Sequence, residues 1–203
     1  MNKIENFEDI LYRESKLAFT KIIQDHGCEL YVIGFYFTGS YSLLPMFNIF
    51  SDLKKVFAEQ YDNEDDDFLL AKWNVSDFPS LEMYSEYFND TEEACYEFDD
   101  IDYTASSEQV DDQWEQWLNV LEKVLIRLDS DGLFSNGINR NKITLAILAY
   151  DEEEAVQFER IKRINPHAAL KYIQSDFETM INNRNEMEKL LVMDEYERIQ
   201  QVQ

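Results

Sequence analysis

Bases are the first thing this chain is short of: 18 Lys and Arg stand against 42 Asp and Glu, a formal charge of −24. That balance excludes nucleic acid and anionic membrane as direct partners, because both repel it. Glycine and proline are scarce, at five and three, which excludes collagen-like repeats and leaves little for flexible linkers. The only cysteines, Cys28 and Cys95, stand in no metal-binding or redox spacing and read as reduced thiols. No apolar run approaches the ~20 residues of a bilayer span. The opening MNKIENFEDILYRESK lacks the apolar core of a signal peptide, so a cytoplasmic location is expected.

Catalytic signatures are missing as well. His26 and His167 have no nucleophile or ligand at a telling spacing, and helix-end packing explains His26 and Cys28 better than a Cys-His pair. Asp129-Ser130-Asp131-Gly132 fails as an EF-hand, with Arg127 and Ile138 where ligands belong. No cofactor and no metal site follow from the residues. Clustered oxygens at Asp65–Asp67 or Asp99–Asp102 would suit a hard cation only on a rigid loop.

Hydrophobic residues at 45% and aromatics at 14% are enough for a packed core, with one domain as the natural size. Apolar positions three and four apart predict a helix over about Phe7–Gln24, with Gly27 just past its end. Leu30–Thr38 reads as a central strand. Gly39-Ser40 is a turn and Tyr41–Asn48 a returning strand, in which Pro45 favours an edge or bulge. Ser51 is expected to cap a short helix running towards Tyr61.

Next come a solvated loop Asp62–Asp67, a strand Phe68–Trp73, a short helix Leu81–Phe88 and an exposed loop Asp90–Ser107. A strong helix follows, marked by Val110, Trp114, Trp117, Leu118, Leu121, Val124, Leu125 and Leu128; Ser106 or Ser107 caps it and Gly132 closes it. Ile143–Tyr150 is a further apolar, central strand. Asp151 is expected to cap a helix ended by Pro166, and the chain beyond Ala168 is helical with a break at Asn182-Asn183. The order α-β-β-α-β-(acidic loop)-α-β-α-α predicts an α+β fold: a mixed or mainly antiparallel sheet of about four or five strands covered by helices. Residues 1–166 are expected to form a single domain, with 167–203 a C-terminal helical extension packed on it.

Charge is concentrated within this order. Asp62–Glu115 holds nineteen acids and one base, Lys72, a formal −18 of the −24. Solubility alone does not require such localisation, and a fixed anionic surface draws in a basic protein at steered rates. Aromatics interleaved with the acids, including Trp114, are the residue types that anchor interfaces. The candidate partner-binding set is Asp65, Asp66, Asp67, Glu92, Glu93, Tyr96, Phe98, Asp99, Asp100, Asp102, Tyr103, Asp111, Asp112 and Glu115. Alternatives are an enzyme using paired carboxylates, or a structural homodimer joined through the apolar side of its C-terminal helices.

The segments LYVIGFYFTGSYSLLPMFN, KWNVSDFP, LIRLDSDGLF and ITLAILAYD followed by INP resemble a family of uncharacterised bacterial proteins known only as a domain of unknown function. The resemblance runs from the first helix to about Pro166. Its motifs are structural, and it implies no cofactor or catalytic residue. Members near polymorphic-toxin and immunity genes imply an antitoxin-like role, with a basic toxin such as a nuclease as partner. Two departures stand out: Asn48 is followed by Ile49-Phe50-Ser51 where members carry an acidic pair, and the C-terminal helical extension is longer.

Overall fold

A computed structural model describes residues 3–38, 43–61, 65–98 and 106–201, with the backbone alone for residues 65, 66, 98 and 192–201. In chain order the elements are α1 (Lys3–His26), β1 (Leu30–Phe37), β2 (Leu43–Ile49), α2 (Phe50–Gln60), α3 (Asp65–Trp73), α4 (Asn89–Phe98), α5 (Ser107–Ser130), β3 (Thr144–Ala149), α6 (Glu154–Ile164), the single turn α7 (His167–Leu170) and α8 (Gln174–Gln201).

The strands form one mixed sheet in the order β2-β1-β3: β1 is antiparallel to β2 and parallel to β3. This is the predicted α+β class, with three strands among the described residues rather than four or five. β1 is central and buried on both faces, as its unbroken apolar run requires. Gly34 is what lets β3 approach, because a Cβ there would lie 1.8 Å from the Ala146 carbonyl oxygen. β2 is an edge strand, where Pro45 lacks only an N–H that a ladder would otherwise need. β3 is not central as its composition suggests. Its outer edge is closed instead by a side chain: the Asn165 amide accepts from Leu145 N at 2.9 Å and donates to Leu145 O at 2.7 Å. That pairing satisfies the exposed rung much as another strand would.

Side-chain alternation sends two cores to opposite faces of the sheet. Ile33, Phe35, Phe37, Leu145, Ile147 and Ala149 pack with residues of α1, α4 and α5, among them Phe7, Phe19, Cys95 and Trp117. Val32, Ala146 and Leu148 pack with residues of α2, α3, α6 and α8, among them Leu53, Trp73, Phe158 and Phe177. Phe158 and Phe177 stack at 4.9 Å and Trp73 meets Phe177 at 5.0 Å, so the start of α8 is seated in the second core.

Several predicted elements take another form. FLLAKW (Phe68–Trp73) belongs to a helix rather than a strand. It contains no β-branched residue, acids open its first turn, and Lys72 near its end pairs with Asp176 of α8 at 2.5 Å. Residues 89–98 are helical rather than a loop. Thr91, Ala94 and Cys95 do repeat at three- and four-residue steps and are buried, but small side chains hide the stripe. The expected helix Leu81–Phe88 is irregular with one 3₁₀ turn at Ser85–Tyr87, and Glu82 and Tyr84 both take positive φ. Ile49 rather than Ser51 stands at the N-cap of α2, and Glu153 rather than Asp151 at that of α6. α8 continues through Asn182-Asn183 without a break. The Gly39-Ser40 turn and residues 62–64 of the acidic loop lie outside the described residues.

Candidate acidic interface

α1 is the platform on which the acidic helices rest. α4 follows an irregular segment, and its first free amides are met by Glu14 of α1. This buried carboxylate accepts from Thr91 N at 2.8 Å and from Asp90 N at 3.3 Å. A buried anion at a helix N-terminus is favourable because the orphan N–H groups and the helix dipole both meet it. On the surface Arg13 of α1 adds an ion pair to Asp90 at 2.6 Å. α5 supplies its own start: Ser106 and Gln109 form a capping box. Trp117 then inserts edge-on against Phe7 of α1 at 4.9 Å.

With both helices held on α1, their outward sides carry Asp90, Glu92, Glu93 and Glu97 from α4 and Glu108, Asp111, Asp112 and Glu115 from α5. No base lies in either stretch; the first is Lys123. Apart from Asp90, none of these acids has an ion pair among the described residues. Tyr96 is 54% and Val110 41% exposed within the same surface. Trp114 is half-buried, its ring tilted against Phe37 at 4.8 Å at the end of the central strand. Such a surface can attract a cationic protein at long range and offer it apolar contact at short range.

The structure brings Glu92, Glu93, Tyr96, Asp111, Asp112 and Glu115 of the predicted set onto helices that share this platform. Asp67 is not with them. It sits on α3, which packs on the other face of the sheet, so the single acidic stretch of the sequence is divided between two sides of the molecule. The backbone of Asp65 and Asp66 opens α3, and that of Phe98 ends α4. Asp99, Asp100, Asp102 and Tyr103 lie outside the described residues.

A second set of carboxylates was not legible from their spacing. Arg160 of α6 is 1% exposed and reaches Glu122 of α5 at 3.3 Å and Glu152 in the turn after β3. Arg163 forks onto the same Glu122 at 2.5 and 3.1 Å. Burial pushes the Glu152 carboxyl above its ordinary range, against the pull of Arg160, and nearby Glu115 adds to the rise. Arg140 forms a parallel lock: Nε donates to both Asp129 oxygens at 2.9 Å while the other guanidinium nitrogens reach Ile143 O, Ile164 O and Asn165 Oδ1. Elsewhere Tyr84 donates to Asp25 at 2.7 Å, and burial with this bond raises its hydroxyl to about 12. These contacts tie α5, α6 and the turn after β3 together and fasten the segment around Tyr84 to α1.

Among the described residues no group of three or more His, Cys, Asp or Glu side chains could hold a metal ion, and no helix is long and apolar enough to cross a membrane. The fold and the acidic platform thus define a small mixed-sheet α+β protein with one strongly anionic helical face. The chain belongs to the DUF4303 family, described as a domain of unknown function, whose match covers residues 11–166. No curated protein and no solved structure matches the chain.

Proposed function

We propose that this protein is a cytoplasmic, non-enzymatic binding module of the immunity type that occludes a basic protein, such as a nuclease toxin. The observation that carries the reading is the uncompensated face of α4 and α5. Its carboxylates are held in fixed positions by α1, no base stands among them, and Tyr96 and Val110 lie exposed between them. Carboxylates so placed stand in for phosphates in front of a cationic nucleic-acid-binding surface, and the exposed side chains give the complex apolar contact. Burying unpaired acids against neutral protein would be costly, so the natural partner is one that brings Lys and Arg.

The test is retention of a basic toxin domain, offered as a pure protein at low and at high salt. Retention at low salt that falls as the Debye length shrinks supports the reading. Retention that ignores salt, or none at low salt, overturns it.

A further inference from the structure

The second face of the molecule carries an apolar groove of about 780 Å³ between α3 and α8. Leu69 and Leu70 form one wall; Met180, Met187, Leu190 and Leu191 form the other. These α8 positions recur at the spacing of one helical face. The start of that stripe is used by the fold, since Phe177 is fully buried and Met180 packs against the core. Further along nothing among the described residues covers it: Met187 is 63%, Leu190 63%, Leu191 62% and Leu70 53% exposed. From Met180 to Leu191 the stripe runs about 16 Å at 1.5 Å per residue. That length seats about three turns of a helix, with apolar anchors at i, i+3 or i+4, and i+7. Two methionines in the wall give it an adaptable surface.

The rim decides the occupant. Arg184 and Lys189, the cations among the described side chains of this part of α8, are already paired with Glu154 and Glu186. Of the acids lining the groove, Glu154 and Glu186 are the partners of those cations and Glu188 is left over, so the local sign is negative. A second copy of the chain would bring the same acidic rim and another formal −24 against this one. We infer that the α3–α8 groove docks an amphipathic helix of a partner protein, with Leu- or Met-sized anchors on one face and Lys or Arg along its flanks. This site is separate from the α4–α5 face and stands whether or not that face binds a toxin.

The test uses a fluorescein-labelled synthetic helix of about 16 residues, leucine at the helical period and lysine elsewhere, titrated into the full chain at physiological salt with anisotropy as readout. A matching leucine/glutamate peptide is the control, and Leu190→Asp is the variant; at an exposed position it should leave folding intact. The expected result is saturable binding of the lysine peptide, about tenfold weaker on Leu190→Asp and absent for the glutamate peptide. Leu190→Asp adds negative charge, so a merely electrostatic attraction would strengthen, and that outcome overturns the inference. Equal binding of both peptides also overturns it. So does a dimer in sedimentation equilibrium that Leu190→Asp dissociates, or flotation with phosphatidylcholine vesicles that the same variant abolishes. The quadruple variant Glu92→Lys, Glu93→Lys, Asp111→Lys, Asp112→Lys should leave peptide binding within about threefold, which keeps the two sites distinguishable.

Discussion

Two sets of carboxylates in this chain look alike as letters and behave as opposites. Glu14, Glu122 and Glu152 are buried or nearly so, and each is answered by backbone N–H groups or by Arg160 and Arg163. Glu92, Glu93, Asp111 and Asp112 are exposed and have no cation among the described residues. The first set ties α4 to α1 and binds α5, α6 and the turn after β3 to one another; removing a partner from it strands a charge in a poorly solvated place. The second contributes little to the folded state, so its cost and its use both lie outside the molecule.

The sharpest way to break this contrast is Arg160→Met. It leaves Glu152 without its guanidinium and Glu122 with Arg163 alone, and should cost about 3 kcal/mol or more of stability by urea unfolding. An unchanged midpoint would mean that the buried network does not hold α5 and α6 together. Glu14→Ala should cost about 1–3 kcal/mol, since it strands two amides at the start of α4. Its local signature is faster amide exchange in α4 than in α5, which keeps its own capping box.

Glu152 gives a pH test of the buried set. Its folded value lies above the ordinary 4.5 because burial disfavours the charge. The stability it contributes is therefore fully present below 4.5 and lost as pH rises through the raised value. Relative to Glu152→Gln, which cannot ionise, the native chain should lose stability between mildly acidic and alkaline pH; parallel curves would reject the assignment. The smallest effect on folding belongs to the exposed set. Glu92→Lys, Glu93→Lys, Asp111→Lys and Asp112→Lys should each shift stability by about 0.5 kcal/mol or less. Together they should slow association with a basic partner by about tenfold or more at low salt in stopped-flow measurements.

Much of the scaffold was legible because it rests on local periodicity. α1, β1, α5 and β3 carry apolar residues at helical or strand spacing dense enough to name their positions within a few residues. The Ser106 cap of α5 was legible for the same reason, since cap and capped amide are neighbours in sequence. α3 and α4 were not. FLLAKW is equally apolar as strand or helix at that length, and Lys72–Asp176 favours the helix from 104 residues away. α4 buries Thr91, Ala94 and Cys95 and takes its cap from Glu14, 77 residues earlier. Neither partnership leaves a mark in the local sequence.

The candidate site divides the same way. Excess negative charge, its concentration in Asp62–Glu115 and the aromatics among the acids are properties of order and composition, and the sequence alone determined them. Which carboxylates share a face was decided only in three dimensions. The sheet runs between α3 and α4, sending Asp67 to one side and Glu92, Glu93, Asp111 and Asp112 to the other. Which acids are free was decided there too, because an ion pair such as Arg160–Glu122 forms across 38 residues of chain once α5 and α6 pack. A charge written in the sequence has a sign, but its solvation and its neighbours are set by the packing around it.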